Sequence, residues 1–557
     1  MRKYSLRENI ETSLEEYPEI LKNLLASRGI TDKESADIFI SPDYEEGTHD
    51  PFLMKDMDKA VRRFLKAIDN NERIVVYSDF DADGIPGGAL FHDFLKKIGY
   101  KNFVNYIPHR NDEGYGFHLE AVEDFHKDGT KLVVTIDVGI VAYEEVKKAQ
   151  ELGMDVIVTD HHEPNGQVLD AVAVLDPKQN GCEYPFKELC GSAVAYKFIQ
   201  AIISKRDFGI KPGMEKWWLD LVGIATLSDM VPLVGENRVF AYYGLLVLRK
   251  SSRPGIIQAT RALNIDQKHI NEDDIGFLIT PRINAASRMG HPDDAFALLT
   301  AEDEPTAGAA MQHLSKINDE RKGLVASITR DVKNKLKKRT DIGSVIVSGD
   351  PRWKPSVLGL VANKLMEEYN RPVFLWGREN GGDIKGSSRS NNLSLIEIMN
   401  STANSFTHFG GHTKAAGFAV CEDKIHTLEE NLCKAYDSLK KVDAGDAPIW
   451  IDADLESGDL KVSLFETVTK LAPFGVGNPK PLFRIKNIIP DSARLFGKQN
   501  NHLEISFGRM KAIGFFMTED SFEIKPKVGS KINLLAHLEE SFFRGRKERR
   551  LRIVDIV

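Results

Sequence analysis

Residues 73–88, "RIVVYSDFDADGIPGG", open as a short apolar run, close on glycines, and carry Asp79, Asp81 and Asp83 on alternate positions between the two. A short apolar run bounded by turn residues and followed by a helical segment reads as a buried strand leading into a helix. Three like charges this close repel and raise one another's pKa unless a cation neutralises them. At this point two readings stand open, a metal site and a solvated acidic turn.

The same alternation continues outward. "NFVNYI" (102–107), "KLVVTI" (131–136), "DVIVT" (155–159) and "AVAVL" (171–175) are separated by helical segments such as "LEAVEDFHK" and "YEEVKKAQELG". Strands alternating with helices predict a mostly parallel sheet covered on both faces, with sites at the carboxyl ends of its strands. Two of these later strands also end in acids. Asp137 follows "KLVVTI", and Asp160, His161 and His162 follow "DVIVT". Asp229 in "GIATLSDMVPL" adds one more carboxylate. A mixed oxygen and imidazole set suits Mn²⁺ or Mg²⁺ better than zinc. There are enough donors for two ions, the arrangement that recurs in phosphodiester hydrolysis.

The 557 residues exceed one core and imply three or four domains at about 150 residues each. Beyond 190 the pattern is mostly helical, and 306–339 reads as a long connecting helix. A second α/β pattern starts at "GSVIVSGD" (343–350), "KKVDAGDAP" (440–448) reads as a linker, and the β-rich runs of 449–557 suggest a small all-β barrel. The expected division is 1–50, an N-terminal helical extension; 51–300, the parallel-sheet domain; 301–340, the connecting helix; 341–440, a smaller α/β domain; and 441–557, the all-β domain. Hydrophobic and charged fractions of 42% and 28% are those of a globular protein, and no apolar run approaches a membrane span. The charged start lacks the apolar stretch of a signal peptide, so a cytoplasmic location and no membrane partner are expected. Four cysteines without a CxxC pair predict free thiols. A net charge of −8, from 74 basic and 82 acidic residues, argues against a protein that coats nucleic acid, while allowing a local basic groove.

Taken in order, "DFDADG", "TIDVGI", "TDHH" and "ATLSDMVPL" resemble the four motifs of the DHH phosphoesterase superfamily. "YIPHR" with "EGYGF", "PRINAASRMG", "KGSSRS", "FGGHTKAAGF" and "LAPFGVGNPKPLF" extend the resemblance, over nearly the whole chain, to the RecJ family of single-stranded-DNA-specific exonucleases. The resemblance implies a DHH domain, a DHHA1 domain joined by a long helix, and an oligonucleotide-binding (OB) domain. It implies Asp79, Asp81, Asp83, Asp137, His161 and Asp229 as ligands of two Mn²⁺ or Mg²⁺ ions, with Asp137 between them. Asp160 and His162 complete the catalytic group, either orienting a ligand or touching phosphate. Ser387, Ser388 and Arg389, with Gly410, Gly411 and His412, are expected to face the metals across a cleft. Arg110, Arg282 and Arg288 are expected to hold the strand or its 5′ end, since a guanidinium grips phosphate in bidentate fashion. For Arg282 and Arg288 the alternative is a surface ion pair, and for the two glycines a tight turn.

The implied activity is metal-dependent hydrolysis of single-stranded DNA from the 5′ end to 5′-mononucleotides, in repair and recombination. Implied protein partners are a single-stranded-DNA-binding protein and a helicase. The alternatives are a DHH phosphodiesterase for short oligonucleotides or cyclic dinucleotides, and a non-catalytic scaffold in a replication assembly. Phe474 and Phe483 read as barrel core. The run "FFRGRKERRLR" (542–552), with Arg544, Arg546, Lys547, Arg549, Arg550 and Arg552, reads as a solvated hairpin or as a track for a single strand. Pro86, Ser287, Lys354 and Ser356 depart from the family pattern, which has Thr or Ser near 86, glycine at 287, and histidine and glycine at 354 and 356. None of the four is an expected metal ligand.

Overall fold

The computed structural model describes residues 3–557 apart from 9, 379–381, 392, 440–447, 498 and 544–545. The expected linker at 440–448 and Arg544 therefore fall wholly or mostly outside the described residues, as does the side chain of Arg546. Residues 73–88 form the strand Arg73–Ser78 and the start of the helix Gly84–Lys97. Around that strand lie five parallel strands in the order Phe103–Tyr106, Arg73–Ser78, Thr130–Ile136, Asp155–Thr159, Ala173–Leu175.

Ile74, Val76, Leu132, Val134 and Ile157 pack on one face, beneath helices Met57–Asp69, Gly84–Lys97 and Gly191–Lys205. Val75, Tyr77, Val133, Val156 and Val158 pack on the other, beneath Leu119–Lys127 and Tyr143–Glu151. Burial on both faces is why these strands read as continuous apolar runs. The chain leaves Arg73–Ser78 toward Phe103–Tyr106 and returns on the opposite side as Thr130–Ile136, so the winding reverses between the two. A crevice opens at the carboxyl ends of strands at such a reversal.

The "IPGG" segment is a packing requirement. A Cβ at Gly87 would lie 2.6 Å from Ile136 Cγ2, and one at Gly88 2.7 Å from Ser78 Oγ, so only glycines let this helix cross the strand ends so closely. Pro86 sits in the first turn, where N–H groups have no intrahelical acceptor, and its missing donor costs little.

A single helix of 34 residues, Glu304–Lys337, leads out of this domain, with Asp303 capping it by accepting the Thr306 N–H at 2.8 Å. Met311, Leu314 and Ile317 belong to the first core, and Ile328, Val332 and Leu336 to the second, so one rigid rod spans both. The second domain carries five strands in the order His408–Gly411, Ala415–Val420, Ile384–Arg389, Val373–Gly377, Ile346–Gly349, the last two parallel and the others antiparallel.

The C-terminal region is a seven-stranded mixed sheet running from Ala453–Leu455 to Ser492–Phe496, with the long pair Ile532–Phe543 and Arg546–Ile556 near its middle. Phe483 is fully buried there, while Phe474 is partly exposed. Residues 1–50 do more than extend the chain. Strand Tyr4–Leu6 pairs with Ile449–Ile451, and Leu14, Leu21, Leu24 and Leu25 are buried in the same core as Phe465, Phe483 and Leu534. The i, i+3, i+4 spacing of Leu21, Leu24 and Leu25 makes that apolar helix face. Among the described residues, no helix is long and apolar enough to cross a membrane.

Candidate active site

Three adjacent strands end in acids at the crevice. Asp79 follows Arg73–Ser78, Asp137 follows Thr130–Ile136, and Asp160, His161 and His162 follow Asp155–Thr159. Asp229 joins them from the end of helix Leu219–Ser228. Three sets of side chains bring donor atoms within 4.8 Å of one another: Asp79, Asp81 and Asp137; Asp83, His161 and Asp229; and Asp137, His161 and His162. His161 Nε2 lies 3.2 Å from Asp137 Oδ1 and 3.7 Å from both Asp83 Oδ2 and Asp229 Oδ2.

Each carboxylate is placed by its local backbone. Asp81 Oδ1 accepts the N–H groups of Asp83 (2.7 Å) and Gly84 (3.2 Å), which leaves Oδ2 for a ligand. Asp83 accepts the N–H groups of Gly191 (2.7 Å) and Ser192 (2.8 Å), at the positive end of helix Gly191–Lys205. Asp137 holds a left-handed backbone (φ 62°), and a Cβ at Gly191 would sit 2.5 Å from its own Cβ. Asp160 is buried and saturated: it accepts the N–H groups of Ile140 (2.9 Å), His161 (2.8 Å) and His162 (3.2 Å), and His162 Nδ1 at 2.7 Å.

The charges do not balance within the protein. Burial, then Asp81, drives the Asp79 carboxyl well above its usual range, and burial, then Asp83, Asp81 and Asp79, does the same to Asp137. Asp83 is also raised by burial, against the pull of His161, and burial with Asp83 and Asp81 pushes Asp229 up to about 8. Burial lowers His161 and favours the neutral imidazole that binds metals. At His162 burial opposes protonation, but the Asp160 hydrogen bond and nearby carboxylates prevail and push it up to about 9. Among the described residues, Asp79 Oδ1 and Asp137 Oδ1 are buried and accept no hydrogen bond. Buried acceptors of this kind call for a cation. The donor set therefore fits divalent ions of the Mn²⁺ or Mg²⁺ type.

Beside the acids lies a group of arginines. Arg110 stacks on Phe80 at 4.7 Å, and the opposing charges of Asp79 and Asp81 offset part of the lowering that burial imposes on it. Burial and the neighbouring charges of Arg110, Arg321 and Arg389 push Arg288 down to about 9, and Arg288 Nε is buried without a partner. Arg288 crosses to the second domain, donating to the Ser356 carbonyl at 3.0 Å while Ser356 Oγ donates back to the Arg288 carbonyl at 2.7 Å. The serine at 356 thus adds a link that a glycine lacks. Arg389 lies along helix Pro355–Tyr369, where a Cβ on Gly359 would come within 2.8 Å of its Nη2.

Family models match three stretches of the chain: the DHH family N-terminal domain over residues 73–226, the DHHA1 domain over 343–441 and the RecJ OB domain over 451–555. The single-stranded-DNA-specific exonuclease RecJ of Bacillus subtilis is 34% identical over 545 residues, covering 96% of this chain and 67% of that protein. The chain belongs to the RecJ family. The crystal structure of RecJ from Thermus thermophilus with Mn²⁺ superimposes with a TM-score of 0.83 at 26% identity, covering 100% of this chain and 79% of that one. Its Mg²⁺ complex gives a TM-score of 0.76 at 25% identity, covering 100% and 78%.

In this RecJ-family chain the strand Ile384–Arg389 divides its expected site residues between two faces. Ser388 points into the sheet, buried, with Oγ donating to the Ala416 carbonyl at 3.1 Å, whereas Ser387 and Arg389 share the opposite face. Gly410, Gly411 and His412 are exposed at an edge strand, and no hydrogen bond or ion pair among the described residues joins them to the acids. Arg282 forms no ion pair among the described residues: it donates to the Leu278 carbonyl (2.7 Å) and to Ser315 Oγ (3.3 Å), tying its helix to the long one. Three contributors carry no assigned role in the sequence reading. Tyr115 Oη lies 3.3 Å from His162 Nδ1, Asn284 Oδ1 accepts the Ala82 N–H at 3.1 Å, and Arg321 completes the arginine group. Tyr115 and Asn284 sit inside the motifs "EGYGF" and "PRINAASRMG", the only signal that pointed to them.

Proposed function

We propose that this chain hydrolyses single-stranded DNA from its 5′ end and releases 5′-mononucleotides. Mn²⁺ or Mg²⁺ is held by Asp79, Asp81, Asp83, Asp137, His161 and Asp229. The observation that carries this reading is the pair of buried carboxylate oxygens, Asp79 Oδ1 and Asp137 Oδ1, that accept no hydrogen bond among the described residues, with the likewise unsatisfied Arg288 Nε in the neighbouring arginine group. Two divalent ions, when bound, supply activation of a water and charge stabilisation at the phosphate and the leaving oxygen.

The protein's own groups do the rest. Asp160 holds the His161–His162 turn, and His162 with Tyr115 closes one side of the crevice. Ser387, Arg389, Arg288 and Arg110 seat a terminal 5′ phosphate, and a strand seated there presents its first phosphodiester to the acids. With the first phosphodiester at the acids, each turnover releases one nucleotide. Arg282 and Ser388 support the walls of the site, and Gly410, Gly411 and His412 form an edge that meets the strand when the two α/β domains close.

The chemistry belongs to 51–300, the spacer to 301–340, the closing wall to 341–440, and the grip on longer strands to 441–557 with 1–50 packed behind it. In the cytoplasm the enzyme works on strands opened by a helicase and bound by single-stranded-DNA-binding protein, during repair and recombination. The test is to offer the purified protein with Mn²⁺ a 5′-labelled single strand, duplex DNA, a dinucleotide and a cyclic dinucleotide, beside Asp137→Ala. Progressive loss of the 5′ label as mononucleotide, from the single strand and not the duplex, is expected. Cleavage confined to the two dinucleotides would overturn the proposal.

A further inference from the structure

Asp229 lacks the backbone support that Asp81, Asp83 and Asp160 enjoy. Asp81 and Asp83 each accept two backbone N–H groups and Asp160 accepts three. Asp229 accepts no hydrogen bond from the described residues, and its ion-pair contact is His161 at 3.7 Å. Its position is therefore set by its own backbone. That backbone is held upstream by the helix, through the Asp229 N–H donating to the Ala225 carbonyl at 2.9 Å. Downstream comes Met230, exposed and left-handed (φ 61°), and then 231–233.

The downstream hold comes from another domain. The Leu233 N–H donates to the carbonyl of Val476, in the "PFGVGNP" loop of the C-terminal region, at 2.7 Å. A Cβ at Gly475 would lie 2.8 Å from Leu233 Cδ1, and one at Gly477 (φ +74°) 3.2 Å from Pro232 Cβ. The two glycines let the loop lie flat on the stretch that follows Asp229. The loop is itself fixed from two sides. Asn478 Nδ2 donates to the carbonyls of Leu471 and Pro473 at 2.8 Å each, while its Oδ1 accepts Arg28 Nε at 2.7 Å. Arg238, in the helix Gly235–Leu248, donates to the carbonyls of Leu471 (3.1 Å) and Ala472 (3.0 Å). The segment from 229 to 238 is thus held at 233 by the loop and at 238 by residues 471–472 that lead into it.

We infer that the 474–478 loop is a positioning element for Asp229, so that the C-terminal domain sets the hold on one metal ion as well as the grip on DNA. The inference rests on Asp229 being a metal ligand. A side chain at 475 displaces Leu233, and the displacement reaches Asp229 because the intervening stretch is short and fixed at its far end. Ligand geometry at a divalent ion tolerates little of it.

The test is Mn²⁺ binding to the full chain without DNA, read by electron paramagnetic resonance of the free ion. Gly475→Val, the milder Gly477→Ala and Asp229→Ala are compared with wild type, and thermal unfolding checks that each is folded. Weakening of one of two ions by about tenfold or more, the scale set by residues that orient metal ligands, is expected for Gly475→Val. A smaller weakening of the same ion is expected for Gly477→Ala, and its loss for Asp229→Ala. A dinucleotide too short to reach the C-terminal domain should then show a lower kcat and a higher Mn²⁺ requirement. If the folded glycine variants bind both ions like wild type while Asp229→Ala loses one, the positioning role is overturned. If Asp229→Ala itself keeps both ions at wild-type affinity, the ligand assignment fails, and the inference with it. Should Gly475→Val not fold, Gly477→Ala carries the same two outcomes.

Discussion

The crevice between the α/β domains and the long strand pair of the C-terminal sheet both concentrate charge, with opposite accounting. In the crevice, Asp79 Oδ1, Asp137 Oδ1 and Arg288 Nε are buried with no hydrogen-bond partner among the described residues. In the strand pair the basic run that looks made for DNA is answered by two glutamates: Arg549 and Lys547 pair with Glu540 at 2.8 and 2.6 Å, and Arg550 and Arg552 with Glu539 at 3.2 Å each. Glu539 faces Arg550, and Glu540 faces Arg549, across the ladder. Charge density along a sequence thus says little about binding. On the proposed function the charges without partners do the binding, while these part-buried arginines are already answered by their glutamates.

Breaking the unpaired side should have the largest effect. Asp137 takes part in two of the three donor groups, and Asp137→Ala is expected to lower kcat on single-stranded DNA by about 10³-fold or more, roughly 4 kcal/mol of barrier. Single-turnover cleavage measures it, and a loss under tenfold would erase the contrast. Arg389→Ala removes a guanidinium from the phosphate seat. It should lower kcat/KM for 5′-phosphorylated strands by about 10–100-fold, the value of a charged hydrogen bond, and by less for 5′-hydroxyl strands. Equal losses on both ends would remove Arg389 from that seat. Asp160→Asn frees the His161–His162 turn and should weaken Mn²⁺ binding by about 10-fold, read by calorimetry.

A smaller effect sharpens the comparison through pH. In the metal-free protein Asp229 is raised from 3.8 to about 8 by burial and by Asp83 and Asp81. The folded state binds this proton more tightly than the unfolded one. Its contribution to stability is therefore full below about pH 4 and is lost as pH rises through about 8. Mn²⁺ replaces the proton, so its gain in Tm should be larger at about pH 8 than at about pH 6. Thermal unfolding with and without Mn²⁺ at both values decides it, and an equal gain would contradict the sign. Smallest of all, Arg550→Ala, on the paired side, should change kcat/KM for a long strand by no more than about threefold, since its charge is already answered by Glu539, which keeps Arg552 as a partner. A tenfold loss would mean that DNA displaces Glu539.

Much of the site was legible because burial on both sheet faces turns each strand into an apolar run, so an acid that ends a run is conspicuous. Asp79, Asp137, Asp160 and their histidines could be found that way. Their grouping could not. Asp83 stands beside Asp81 in sequence but joins His161 and Asp229 in space, because the helix start turns it toward Gly191 and Ser192. The pairing of Arg549 and Arg550 depends on a strand register that spacing does not reveal. The three-residue strand Tyr4–Leu6 leaves almost no periodic signal, so its pairing with Ile449–Ile451 is invisible in the sequence. Ser388 parts from its neighbours for a simpler reason: the period of two in a strand turns it away from Ser387 and Arg389.

The central claim is that the uncompensated acids at the strand ends are one two-ion site. Anomalous diffraction from crystals soaked in Mn²⁺ tests it most directly. Two peaks are expected, one among Asp79, Asp81 and Asp137 and the other among Asp83, His161 and Asp229. A single peak, or peaks away from these residues, would contradict it.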